Sequence, residues 1–129
     1  MAVATEAYVA DACALIAFFA DAAPLRATAA MRGDAVAVSP ITVWELTRKA
    51  ALGKLPPLPR SEGSFAGYLE AEGFLPLPLT WLDTEAANTL PQYHKDPMDR
   101  MLIAQALRRG MTIITDDGVF AAYGVKTLW

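Results

Sequence analysis

The chain has 129 residues, a net charge of −3, 54% hydrophobic and 19% charged residues, which suits one domain spanning 1–129 and excludes a disordered or solvating segment. Its single cysteine, Cys13, excludes a disulfide-stapled secreted scaffold and points to the cytoplasm. An isoelectric point near 5.0 leaves no broad basic surface for indiscriminate nucleic-acid binding. The most apolar stretch, residues 8–23, is broken by Asp11 and Asp21 and preceded by no Lys or Arg. It predicts neither a membrane span nor a signal peptide.

In chain order, residues 7–10 read as a first strand and 13–21 as an Ala- and Leu-rich helix. Residues 35–38 read as a second buried strand. Ser39 offers an N-cap and Pro40 suits the first helical position, so 41–52 should be helical, with Gly53 as the stop and a stiff loop through Pro56, Pro57 and Pro59. A short helix is expected over 65–72, ended by Gly73. The strand predicted over 74–79 should lie at an edge, because Pro76 and Pro78 cannot donate to a ladder. Thr80 caps a helix over 81–90. Asp96, next to Pro97, caps a helix to Arg109, closed by Gly110. Residues 111–115 form the clearest buried strand and 125–128 a short last one. The alternation predicts an α/β domain with a mostly parallel central sheet.

Certain acids fall at telling places. Asp11 follows the first strand and Asp116 and Asp117 follow the strand 111–115, at the carboxyl ends where open α/β sheets place ligands. Asp99 heads a helix whose apolar stripe runs through Leu102, Ile103 and Ala106, so it faces the sheet. Glu45 lies mid-helix, one turn after Ile41. Each has a plain alternative: Asp11 as a helix cap, Asp99 as a carboxylate favoured by a helix start, Glu45 paired with Lys49 at i+4, and Asp116 and Asp117 as turn residues before Gly118. His94 reads as a loop or surface residue. Taken together, crowded carboxylates repel one another, and a hard divalent cation such as Mg²⁺ or Mn²⁺ resolves the conflict. One histidine and one cysteine are too few for a zinc site.

The same residues carry a resemblance. Val43-Trp44-Glu45-Leu46, Lys49 and Leu52-Gly53-Lys54-Leu55-Pro56 resemble the WE…K…LGKLP segment of VapC-type PIN-domain toxins. Leu90-Pro91, His94, Asp96-Pro97-Met98-Asp99-Arg100 and Leu102-Ile103-Ala104-Gln105-Ala106 resemble their LP…H-x-DPFDRxLIAQA segment. Thr115-Asp116-Asp117, Phe120 and Tyr123-Gly124-Val125 resemble the closing T-x-D…F…YGV run, and Asp11-Ala12 the opening D-A-S. Two positions depart from the pattern: Cys13 replaces a Ser or Thr, and Met98 replaces a Phe.

The resemblance implies a three-layer α/β/α PIN-like fold and a metal-dependent endoribonuclease. It implies that Asp11, Glu45, Asp99 and Asp117 form both the catalytic and the metal-binding set, with Asp116 the weaker candidate. Mg²⁺ or Mn²⁺ would serve as cofactor and RNA as substrate. A small VapB-like antitoxin would be the partner, its tail in the acidic groove, and the toxin would be a homodimer. Leu15, Phe18, Phe19 and Leu25 are candidates for an interface. Removing four acids turns −3 into +1, so the remaining surface is nearly neutral. Arg48, Lys49, Lys54, Lys95 and Arg100 flank the acids as candidate phosphate contacts or as solvated helix faces. The competing reading keeps the fold without catalysis, as a module that engages an antitoxin, and rests on the hydroxyl missing at Cys13. A phosphoacceptor domain is disfavoured because Lys126 lies within the final strand region rather than at the end of a core strand.

Overall fold

The computed structural model describes residues 7–129; the lysine- and arginine-free start, residues 1–6, lies outside them. Five strands, β1 (Tyr8–Ala10), β2 (Val36–Val38), β3 (Leu75–Pro76), β4 (Thr112–Ile114) and β5 (Thr127–Leu128), form one sheet in the order β3-β2-β1-β4-β5. All four pairings are parallel. Parallel strands need crossover connections, and six helices supply them: α1 (Ala12–Phe19), α2 (Leu25–Gly33), α3 (Pro40–Ala51), α4 (Phe65–Ala71), α5 (Trp81–Ala87) and α6 (Pro97–Arg109). A 3₁₀ helix, Gly118–Tyr123, joins β4 to β5.

Side chains alternate across the pleat, and the two faces bury different clusters. Ala10, Val36, Val38 and Ile114 pack with Leu15, Ala27, Met31, Leu46, Phe65 and Leu69 from α1 to α4. Val9, Ala37 and Ile113 pack on the other face with Leu102, Ile103 and Ala106 of α6, and with Phe120. The result is the expected three-layer α/β/α arrangement. No helix among the described residues is long and apolar enough to cross a membrane.

Local chemistry sets the element boundaries. Ser39 Oγ accepts the N–H of Ile41 (3.2 Å), and Thr80 and Asp83 form a reciprocal capping box. Asp96 Oδ1 accepts the N–H groups of Met98 (2.8 Å) and Asp99 (3.3 Å), so its capping role holds. Gly110 closes α6 at φ +64°, a conformation that favours glycine. The strand expected over 74–79 shrinks to two residues at the sheet edge. Leu77 N–H still reaches Val38 O (3.0 Å); N–H groups alternate along a strand, so Pro76 and Pro78 fall on the side facing away from β2, where no further strand needs a donor. The expected helix 81–90 ends at Ala87. Helix α2 was not expected at all. Its buried Ala27, Ala30 and Met31 keep the i, i+3, i+4 spacing, but small alanines blur the contrast between faces that periodicity depends on.

The α5–α6 contact is locked by a fully buried carboxylate. Asp83 Oδ1 accepts from Arg108 and from Arg109 Nη1 (2.8 Å), and its Oδ2 accepts from Arg109 Nη2 (2.9 Å) and the Thr80 N–H (2.8 Å). The arginine bonds hold its carboxyl well below the usual carboxylate range, outweighing burial. Because the folded-state value is depressed, this stabilisation is present above the unfolded value near 3.8 and is lost as pH falls below it. Asp83→Ala strands two arginines and should destabilise the fold by about 3 kcal/mol in urea unfolding at neutral pH. The difference from the wild type should narrow in acid.

Candidate metal centre

The carboxyl ends of β1 and β4 sit side by side, since Ala10 pairs with Ile114. Asp11 leaves β1 there, its N–H donating to Ile114 O (3.1 Å), and it caps α1 by accepting the Ala14 N–H on Oδ1 (2.8 Å). Oδ2 accepts the Thr115 hydroxyl (2.5 Å), whose oxygen also accepts the Asp117 N–H (3.0 Å). The capping alternative for Asp11 is therefore correct as local structure, and the same bonds fix its carboxyl at the sheet edge. Asp11 is 4% exposed. Burial pushes its carboxyl up to about 6, the repulsion of Asp99 and Asp116 adds to this, and the two hydrogen bonds only partly offset it.

Asp99, in the first turn of α6, is also pushed up to about 6, by burial first and then by the charges of Asp96 and Glu45, against the relief offered by His94. Glu45 of α3 receives Lys49 Nζ (3.1 Å), so the i+4 pairing holds. Its side chain nonetheless is only 13% exposed and its charge is felt at Asp99. It lies at the cleft rather than on a solvated face.

His94 is the residue that sequence reasoning placed elsewhere. It does lie in the loop before α6, but its ring is half-buried against the acids. Nε2 is 2.7 Å from Asp99 Oδ2 and 3.8 Å from Asp117 Oδ2. Nδ1 accepts the Asp96 N–H (3.4 Å), a role open only to a nitrogen without a proton. The pattern therefore assigns the ring proton to Nε2, which donates it to Asp99. A signal was available in the spacing His94-x-Asp96-x-x-Asp99, which sets the ring over the first turn of the capped helix.

Among the described residues, His94, Asp99 and Asp117 form the compact set, with ligand atoms all within 4.8 Å of one another. Asp11 and Glu45 lie outside that set and couple to it through Asp99. Asp117 also caps the 3₁₀ helix by accepting the Val119 N–H (3.0 Å). Asp116 is exposed, yet its charge reaches Asp11 and Cys13. The donor set fits a hard divalent cation. It is rich in carboxylates and holds one imidazole; in the ion-free protein, burial with the Asp11 and Asp116 charges pushes the Cys13 thiol up to about 11. As a ligand, His94 Nε2 would first give up the proton it shares with Asp99.

The candidate basic rim is smaller than the sequence suggests. Arg100 is buried and bonds carbonyls: Nη1 to Pro91 O (2.8 Å) and His94 O (3.3 Å), Nη2 to Ala87 O (2.8 Å) and Leu90 O (2.9 Å). It caps α5 and ties down the His94 loop, so it is withdrawn as a phosphate contact. Lys49 is engaged by Glu45, and Arg48 lies over the Trp44 ring (5.5 Å). Lys54 and Lys95 remain exposed.

Residues 8–126 match the PIN domain family, and the chain belongs to it. The fold is similar to VapBC2 from Rickettsia felis bound to a DNA fragment from their promoter (TM-score 0.69, 12% identity, 95% of this chain and 98% of that chain covered). It is also similar to FitAcB from Neisseria gonorrhoeae (TM-score 0.60, 21% identity, 95% and 96% covered). A third likeness is PAE2754 from Pyrobaculum aerophilum (TM-score 0.58, 22% identity, 95% and 83% covered). At these identities the likeness shows the fold. No curated protein matches the chain by sequence.

The raised carboxyls have a thermodynamic signature. Between the unfolded value near 3.8 and the folded value of about 6, native Asp11 and Asp99 hold protons that the unfolded chain has released. Their contribution to stability therefore falls as pH rises through that window. In EDTA, Asp99→Asn should flatten this decline by about 1–2 kcal/mol relative to wild type, read by urea unfolding between pH 4 and pH 7.

Proposed function

We propose that this PIN-domain chain is a Mg²⁺- or Mn²⁺-dependent endoribonuclease of the VapC toxin type, acting in the cytoplasm as one catalytic domain. The observation that carries the reading is the convergence of His94, Asp99 and Asp117 at the carboxyl edge of a parallel sheet, with Asp11 and Glu45 electrostatically coupled to Asp99. Asp11, Asp99, Glu45 and Asp117 would hold the cation. When bound, the cation lowers the pKa of a water and neutralises phosphate charge, the two requirements of phosphodiester hydrolysis.

The chain's own residues perform the rest. His94 fixes which oxygen of Asp99 faces the cleft through the Nε2–H bond, and Thr115 does the same for Asp11. Both are the outer partners that orient ligating carboxylates. Glu45, steadied by Lys49, or Asp117 would position the attacking water. Exposed Lys54 and Lys95 are the cations left to meet flanking phosphates, a modest rim that favours a specifically presented RNA over general binding.

Regulation by a small VapB-like antitoxin, and homodimerisation, complete the reading. The similar Rickettsia felis structure is a VapBC complex on promoter DNA, which supports the partner class. Leu15 is fully buried in the core and is withdrawn as an interface residue, whereas Leu25 is 88% exposed. Phe18 and Phe19 are half-buried against the core.

Purified protein should cut a total-RNA pool into discrete fragments with Mg²⁺ or Mn²⁺, and EDTA should stop it. Asp99→Asn should lower the rate by at least 100-fold, the scale of losing a group that acts at the transition state. A folded wild type that binds Mn²⁺ but leaves every RNA intact would favour the non-catalytic antitoxin-binding module.

A further inference from the structure

The Tyr123 hydroxyl sits at a junction. It donates to Pro91 O (2.8 Å), accepts the His94 backbone N–H (2.8 Å) and accepts from Arg100 Nη1 (3.4 Å). A phenol offers one donor and two acceptor positions, so its capacity is fully used. The partners belong to the loop 88–96 and to α6, far from Tyr123 in sequence. One oxygen thus joins the 3₁₀ helix after β4 to the segment that presents His94. Tyr93 packs edge-on against the Tyr123 ring (5.1 Å between centroids), and Phe120, one turn earlier, lies 6.1 Å from the His94 ring.

The consequence falls on the imidazole. His94 is held at its N–H by Tyr123, at its C=O by Arg100 and at Nδ1 by the Asp96 N–H. Its Nε2–H then meets Asp99 at 2.7 Å. A bond that short does not survive a backbone displacement of about 1 Å.

We infer that Tyr123 is a positioning residue of the candidate metal centre, its hydroxyl setting the His94 backbone so that the imidazole reaches Asp99. Tyr123 itself touches neither cation nor substrate. The effect on catalysis rests on the nuclease reading above; the effect on His94 does not.

Tyr123→Phe deletes one oxygen and keeps the ring against Tyr93, and Tyr93→Phe serves as a control with the same chemical change. His94 is the one histidine in the sequence, so its imidazole ¹H–¹⁵N signals are identified without assignment. In ion-free wild type they should report a single tautomer protonated at Nε2. In Tyr123→Phe they should move toward the averaged pattern of a free imidazole, while Tyr93→Phe matches wild type. Mn²⁺ affinity should fall by about 10-fold in Tyr123→Phe, the lower end for loss of an outer partner, and kcat should fall similarly with KM for RNA unchanged. An unchanged His94 spectrum with unchanged Mn²⁺ affinity in folded Tyr123→Phe overturns the inference. Should wild type neither bind Mn²⁺ nor cut RNA, the nuclease reading fails and the His94 spectra alone decide the role of Tyr123. Should Tyr123→Phe not fold, amide exchange in wild type decides. A His94 N–H protected as strongly as the N–H of Arg100 in α6 supports the anchor, and rapid exchange overturns it.

Discussion

One carboxyl is buried and a second half-buried at one edge of the sheet, and much of the local structure answers that cost. Asp11 and Asp99 are both pushed up to about 6 by burial, and each retains its place because specific donors are aimed at it. Asp11 has the Ala14 N–H and the Thr115 hydroxyl; Asp99 has His94. These donors do not restore an ordinary carboxylate, so desolvation wins and the edge remains poised to accept positive charge. A fold selected for stability alone would have no reason to keep such groups crowded, since apolar replacements of similar volume often stabilise.

The scaffold separates the tasks of holding the fold and holding the edge. Asp83 with Arg108 and Arg109 ties α5 to α6 at a distance from the acids, and there a fully paired buried charge is deeply ionised. Arg100, one residue beyond Asp99, turns its guanidinium away from the cleft and onto the carbonyls that end α5 and carry His94. Adjacent residues on α6 thus face opposite duties, Asp99 toward the site and Arg100 toward its support. Tyr123 extends that support to the segment following β4.

Much of this was legible in the chain. Strand-end acids, the Ser39-Pro40 and Asp96-Pro97 helix starts and the Pro-marked edge strand follow from local rules, and they placed β1, β2, β4, α3 and α6. What local rules could not see was anything that depends on the far end of a side chain. Arg100 looked like a surface cation because nothing in its neighbourhood shows that the α5 carbonyls await it. His94 looked like a loop residue, which it is, while its backbone N–H is held by Tyr123, 29 residues onward. Helix α2 was hidden by its own alanines, whose burial carries little hydrophobic contrast.

The proposed function rests on one physical statement: a divalent cation would relieve the crowding of acids at this edge and would bind the folded state alone. Thermal unfolding of the ion-free protein at pH 7.5, with and without saturating Mn²⁺ and beside Asp99→Asn, measures this without needing the RNA target. The wild-type midpoint should rise by about 5 °C or more and that of Asp99→Asn by far less. An equal rise in both, or none in the wild type, would contradict a cation site built on Asp99.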